Sequence, residues 1–173
     1  MKPRSLFMSF LLLGFLFLLV TSCAVKGVQK KVVVAPGAPA PNAEALWKYI
    51  TKDSPYTTWQ FWPGKEAFYN GTAPHGALLT LYVNFEALDS AIRQAKIMAN
   101  GSILVKENYL PNKKLLSITV MYKVEGCDAD CGDWFWAKYT PKGRALISGS
   151  PPMCIKCHRE RKHNDYIMTE NTG

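Results

Sequence analysis

Two cysteines and a histidine near the carboxyl end carry the strongest chemical signal in the sequence. They form the segment Cys154-Ile155-Lys156-Cys157-His158. Two thiols at this spacing can add to the two vinyl groups of a haem, and the histidine that follows can then reach the iron. The alternative is a thioredoxin-type Cys-x-x-Cys, which normally sits between a strand and a helix of an α/β pattern. The surrounding pattern is not of that kind, so the segment predicts one covalently bound haem c with His158 as an axial ligand.

The second axial position of the iron is less defined. Two other histidines and three methionines are candidates for it, namely His75, His163, Met121, Met153 and Met168. His75 stands between a proline and a glycine, which favours a role in shaping a turn or a pocket. His163 lies in a charged run that favours solvent, and the methionines are typical of a core or a surface.

The amino-terminal segment predicts export. A short basic start precedes an almost wholly apolar run from Leu6 to Val20, and Thr21-Ser22 then lead into Cys23. A charged region, an apolar region and small residues form the layout of a secretory signal. The cysteine makes the segment resemble a bacterial lipoprotein signal, which implies cleavage after residue 22 and lipid on Cys23. The alternative is an uncleaved anchor helix. We expect a protein held by lipid on the periplasmic side of a bacterial membrane.

Export bears on the two remaining cysteines, Cys127 and Cys131. An oxidising compartment favours a disulfide between them, although so short a loop gains little stability from the bond. Two free thiols are the alternative. A zinc site is disfavoured, because the sequence nearby offers no further cysteine or histidine to complete a ligand set.

Charge and composition divide the chain further. The formal net charge is +8, and removal of residues 1–22 would leave +6. The lysines are dispersed, so nucleic acid is not the expected partner, whereas an acidic redox partner such as another cytochrome suits this surface.

Residues 23–42 are rich in proline and small residues and predict a flexible tether. The folded domain is expected over residues 43–173.

Hydrophobic periodicity predicts an α+β domain built on an antiparallel sheet with flanking helices. One helix is expected over 43–51 with Asn42 as its N-cap, and another over 85–95 with Asn84 as its N-cap and Leu88, Ile92 and Ala95 facing inward. The predicted strands span residues 78–84, 102–109, 115–124 and 133–139. The charged segment from Arg159 onward suggests a fraying helix.

Several segments together resemble the cytochrome P-460 family over about residues 45–168. They are Pro74-His75-Gly76, Leu81-Tyr82-Val83-Asn84, the run from Asn100 to Glu107, Gly132-Asp133-Trp134-Phe135-Trp136 and the terminal Cys-x-x-Cys-His. The resemblance implies a mainly antiparallel sheet, a frequent homodimer, and an iron with histidine on one side and an open position on the other. It also implies small nitrogenous or gaseous ligands, because the family includes hydroxylamine-oxidising enzymes and the gas-binding cytochromes c′-beta.

The resemblance draws attention to Lys106. Enzymes of the family carry a lysine cross-linked to a haem carbon, and Lys106 lies in the matching segment. Strand alternation places Leu104, Lys106 and Asn108 on one face, so Lys106 is a candidate haem-binding and catalytic residue. The alternative is a solvent-exposed lysine at a strand edge.

One departure from the enzymes bears on activity. They carry a carboxylate a few residues before the haem cysteines, whereas residues 147–153 here contain no acid. Glu107, Asp133 or Glu125 would have to substitute for it in space. Three functions follow as hypotheses: an oxidoreductase for hydroxylamine or nitric oxide, a non-catalytic gas-binding protein, and an electron carrier with a sixth protein ligand.

Overall fold

The structure is a computed structural model that describes residues 31–169. The predicted signal segment and the lipidation site Cys23 lie outside the described residues. Within residues 31–169, no helix has the length and apolar character needed to cross a membrane.

A seven-stranded antiparallel sheet organises the domain. Its strands are β1 (Gln60–Phe61), β2 (Tyr69–Asn70), β3 (Leu78–Val83), β4 (Ile103–Tyr109), β5 (Leu115–Lys123), β6 (Trp134–Tyr139) and β7 (Ala145–Gly149). The spatial order is β1-β3-β4-β5-β6-β7, and β2 pairs with a second part of the β3 edge. Sequence neighbours from β3 to β7 therefore lie side by side, as short connections favour.

Both faces of this sheet are covered. One side, which we call the α3 face, carries Leu81, Leu104, Met121, Trp134 and Trp136 and is packed by α2 (Phe85–Ile92) and α3 (Pro152–His158). The other, the α1 face, carries Ile103, Val105, Val120, Tyr122, Phe135 and Tyr139 and is packed by α1 (Ala43–Lys48). Strict alternation along each strand produces two separate cores from one sheet.

The two helix starts follow from asparagine caps. Asn42 Oδ1 accepts the backbone N–H of Ala45 at 2.9 Å and begins α1, which continues as a π-helical turn over Tyr49–Asp53. Asn84 Oδ1 accepts the N–H groups of Ala87 at 3.1 Å and of Ile103 at 2.8 Å. Asn84 therefore begins α2 and ties it to β4 at the same point.

The prediction of an α+β domain with an antiparallel sheet is confirmed, and the four predicted strands are present. The short strands β1, β2 and β7 were not predicted, because two-residue strands carry no periodicity and β7 is largely exposed. The predicted inward face of α2 is wrong in one part. Ile92 is 65% exposed, and Ala87 and Ala91 are buried instead. Small side chains on this face let the helix lie close to the sheet.

Residues 31–42 differ from the flexible tether that the composition predicted. Val33 pairs with Glu125 as an antiparallel bridge, and Asn100 Nδ2 donates to the Val33 carbonyl at 2.9 Å. The Tyr122 hydroxyl donates to the carbonyl of Pro39 at 2.7 Å. This part of the segment is attached to the domain because its backbone finds hydrogen-bond partners there, which composition does not reveal.

Candidate haem site

Helix α3 presents the two cysteines and the histidine together. Pro152 occupies its first turn, where a missing N–H costs nothing, and the helix ends at His158. Cys154 lies three residues before Cys157 and four before His158, so the three side chains share one side of the helix. Ile155 anchors the helix in the core of the α3 face. Cys157 is exposed, Cys154 is half-buried and His158 is buried.

The backbone carbonyl of Tyr166 fixes the tautomer of His158. Its Nδ1 lies 2.8 Å from the carbonyl oxygen of Tyr166, and because a carbonyl only accepts, Nδ1 carries the hydrogen. Nε2 then keeps the lone pair that a metal needs. Burial, with a smaller contribution from the charge of Lys106, lowers the pKa of His158 despite the opposing hydrogen bond to Tyr166. The imidazole is therefore neutral at pH 7 and suited to bind iron.

A buried ion pair holds the segment that carries this carbonyl. Asp165 receives two hydrogen bonds from Lys123 Nζ, at 2.7 and 2.6 Å, and one from the backbone N–H of Met98 at 2.8 Å. The Trp134 indole N–H donates to the backbone carbonyl of Asp165 at 2.9 Å. Asp165 and Tyr166 both adopt positive φ, of 49° and 66°. These contacts hold a strained turn in place and with it the acceptor for His158.

Sequence reasoning missed Lys123, Asp165 and Tyr166 as parts of the site. Lys123 and Asp165 are 42 residues apart, so no local pattern connects them. Trp136 lies close to His158, with the two ring centres 4.6 Å apart. Trp136 is also buried in the core of the α3 face.

Lys106 lies on the α3 face, as strand alternation predicted. In the sheet it stands between Leu81 of β3 and Thr119 of β5. Burial lowers the pKa of its amine to about 8, and its charge lowers the pKa of both His75 and His158. Within residues 31–169 no carboxylate forms an ion pair with it. The amine is thus partly neutral near pH 8 and close to the two histidines.

His75 belongs to the same cluster. Its Nδ1 lies 2.9 Å from Asn108 Oδ1, and its ring centre lies 6.4 Å from that of His158. Burial lowers the pKa of His75 to about 4, with the charge of Lys106 as the next cause. Gly76 brings the loop against β4, since a Cβ there would lie 2.4 Å from the backbone of Tyr109.

The other side chains that were candidate iron ligands lie elsewhere. His163, Met153 and Met168 are exposed. Met121 is buried in the core of the α3 face. The structure therefore brings His75, but not His163, to the predicted site.

None of the three acids that were considered as substitutes for the missing carboxylate joins this cluster. Glu107 follows Lys106 directly and so points to the α1 face, where it accepts hydrogen bonds from the hydroxyls of Tyr56 and Tyr109. Asp133 Oδ1 accepts the backbone N–H of Asp128 at 3.2 Å, and Glu125 is exposed. Burial and the hydrogen bond to Glu107 raise the pKa of Tyr56.

The predicted disulfide between Cys127 and Cys131 is not formed in the structure, where both are free thiols. Cys131 packs in the core of the α3 face, while Cys127 packs against the core of the α1 face. The thiol of Cys131 also points to the carbonyl of Trp134, at 3.4 Å. Although they are only four residues apart in sequence, the two side chains lie on opposite sides of the sheet.

The residues around α3 fit a haem. Cys154 and Cys157 are unpaired thiols, and His158 offers a neutral ring nitrogen. The indole nitrogen of Trp136 is buried without a hydrogen-bond partner in the described part of the chain. A buried donor without a partner beside His158 costs free energy, which indicates that a further polar group belongs in this space.

The comparisons with known proteins agree with this arrangement. The family described as Cytochrome P460 matches residues 54–169, which is most of the chain. No curated protein matches the sequence. The matched range includes the whole sheet, Lys106, His75 and helix α3. Because the match covers most of the chain and includes the haem site, the chain belongs to the cytochrome P460 family and is a haem protein.

Proposed function

We propose that this chain is an exported haem c protein that binds or redox-transforms small nitrogen species, such as hydroxylamine or nitric oxide, at the iron face opposite His158. One haem would be bound covalently through Cys154 and Cys157. One observation carries the proposal: a neutral His158 and the desolvated amine of Lys106 lie close to each other on the same sheet face.

The chain's own residues have defined tasks in this proposal. His158 would hold the iron through Nε2, and the Tyr166 carbonyl, which orients the ring, would make it a stronger ligand. Trp136 and the buried residues around it limit the access of water. The bound haem would supply the iron that takes a nitrogen ligand and exchanges electrons.

Lys106 is the residue that would distinguish the site from ordinary haem c. A partly neutral amine is a nucleophile, and the dry surroundings of Lys106 favour that form. We therefore infer that Lys106 reaches the haem, where its amine can be cross-linked to a haem carbon, as the family resemblance implies. This step would replace one N–H and one C–H bond by a C–N bond, so it also requires a two-electron oxidant such as a peroxide. Mass spectrometry of the haem peptides tests this directly. A peptide containing residue 106 should carry haem mass in the wild-type protein and not in Lys106→Ala. An identical haem-peptide mass in both would contradict the cross-link.

A second candidate, gas binding without turnover, is favoured by the position of the acids. A proton acceptor is needed when hydroxylamine is oxidised. Glu107 lies on the α1 face, so it cannot take this role on the α3 face. The third hypothesis, an electron carrier, predicts ordinary low-spin α and β bands with no change on addition of a small ligand.

Stopped-flow spectroscopy separates these functions. Nitric oxide should change the spectrum of the reduced protein, and hydroxylamine should reduce the ferric form only if the protein is an enzyme. Turnover with an added electron acceptor supports the oxidoreductase. Binding of nitric oxide without any turnover supports the gas-binding protein, and no response to either compound supports the carrier.

Export and lipid attachment remain proposals that rest on residues 1–23. Expression in a bacterium with labelled fatty acid should give a membrane-bound, labelled protein. Cys23→Ser should release it into the soluble fraction. Label that persists in this variant would contradict lipidation at Cys23. A redox partner cytochrome and a homodimer are further proposals, which size measurement and electron-transfer assays would test.

A further inference from the structure

We infer that His75 is the second protein ligand of the iron, bound through Nε2 on the face opposite His158, and that a small nitrogen ligand must displace it. This inference rests on the proposed haem site. It goes beyond it by assigning a residue to the iron position that the family resemblance leaves open.

The ring geometry is the first argument. The centres of the two imidazoles lie 6.4 Å apart and the ring planes meet at 81°. A metal–imidazole bond of about 2 Å and about 1 Å from nitrogen to ring centre on each side give roughly 6 Å for two imidazoles on one iron. A histidine that only contacted a bound diatomic ligand would need about 2 Å more. The observed spacing therefore matches direct coordination.

The tautomer of His75 is the second argument. Asn108 Nδ2 donates to the carbonyls of Lys106 at 3.1 Å and Ser117 at 3.0 Å, and to Thr119 Oγ1 at 3.2 Å. This orientation leaves Asn108 Oδ1 as an acceptor, so His75 Nδ1 must donate to it across 2.9 Å. Nε2 of His75 then carries the lone pair, as Nε2 of His158 does. Each ring is fixed at Nδ1 and offers Nε2 to a metal.

The supports of the two rings are the third argument. His75 is held by Asn108 in the centre of the sheet, and His158 by the turn that the Lys123–Asp165 ion pair secures. Both rings thus have rigid anchors on the α3 face, which a bis-histidine site requires. The third histidine, His163, is exposed and provides a matched control.

The test is the spin state of the purified holoprotein. Wild-type protein and His163→Ala should show a six-coordinate low-spin absorption spectrum in the ferric and ferrous states, and the ferric form should give a low-spin electron paramagnetic resonance signal. His75→Ala should become five-coordinate and high-spin. In His75→Gly, added free imidazole should restore the low-spin spectrum. This rescue also shows that the variant is folded.

Either of two spectra would overturn the assignment: that of a high-spin wild-type protein, or that of a His75→Ala protein that stays low-spin. Nitric oxide binding is measured on the same proteins and should be at least tenfold faster in His75→Ala, because no ligand has to leave first. An equal rate in both would also contradict it. If His75→Ala is high-spin but binds neither nitric oxide nor hydroxylamine, the ligand assignment stands and the proposed function fails.

Discussion

The two faces of the sheet differ in whether their ionisable side chains have partners. On the α1 face, the carboxylate of Glu107 is 7% exposed and accepts hydrogen bonds from two tyrosine hydroxyls. On the α3 face, its sequence neighbour Lys106 has a desolvated amine and no paired carboxylate within residues 31–169. A buried carboxylate with hydrogen-bond partners serves stability, whereas a desolvated amine without a carboxylate partner, close to two histidines, is typical of a functional site.

The α3 face also contains a charge that is fully paired. Lys123 and Asp165 are both nearly buried, and together they fix the turn that orients His158. The α3 face thus combines a supporting ion pair with a reactive group. Substitutions test this comparison, because some should change haem attachment or the haem spectrum, whereas others should change only the free energy of unfolding.

The largest effect is expected from the cysteines of the α3 face. Replacing Cys154 and Cys157 together by alanine removes both thiols that would bond to haem. Nearly all covalently bound haem should be lost, as measured by acid–acetone extraction and by haem staining of denatured gels. Cys127→Ala, whose thiol packs against the α1 face, is the control and should keep its haem. Haem that stays covalently bound in the double variant would contradict attachment through Cys154 and Cys157.

The next largest effect is expected from Lys123. Lys123→Met leaves the Asp165 carboxylate buried and unpaired, which should lower the free energy of unfolding by about 3–5 kcal/mol. Its haem spectrum or reduction potential should shift as well, because the Tyr166 turn is loosened. Lys48→Met removes an exposed ion pair with Asp53 and should cost less than about 1 kcal/mol. Chemical denaturation of both variants measures the difference, and equal losses would contradict it.

In the haem-free protein, where no iron binds His75, a pH dependence of stability should arise from this residue. Its pKa in the folded state is about 4, lower than the 6.5 of an unperturbed histidine, because it is buried. Between these values the unfolded chain binds a proton that the folded chain does not, so stability is full above pH 6.5 and falls as the pH drops towards 4. The loss should reach up to about 3 kcal/mol. Unfolding of the haem-free proteins at pH 7 and pH 4.5 should show a smaller difference in His75→Phe than in the wild type.

The smallest effect is expected on the α1 face. Glu107→Leu leaves the hydroxyls of Tyr56 and Tyr109 without their acceptor and should cost about 2 kcal/mol in unfolding free energy. The spectrum and ligand binding of the haem should stay unchanged, since the side chain points away from α3. Equilibrium unfolding and absorption spectra measure both quantities. A shifted haem spectrum would show that the two faces are coupled through β4.

Local patterns predicted much of this structure. Asn42 and Asn84 cap their helices as expected, and alternation along β4 put Leu104 and Lys106 on one side and Ile103 and Val105 on the other. These features depend on residues a few positions apart, which periodicity and capping rules describe. The inward face of α2 was misjudged at Ile92, because small side chains carry a weak hydrophobic signal.

The sequence by itself determined the haem motif, the family and the α+β class, because each depends on residue types at short, fixed spacing. Only the tertiary structure decided which histidine faces His158, where Glu107 points, and that Cys127 and Cys131 are apart. It also revealed the Lys123–Asp165 ion pair that supports the turn beside His158. These features depend on contacts between strands and turns far apart in sequence, and the packing of the sheet alone sets their distances.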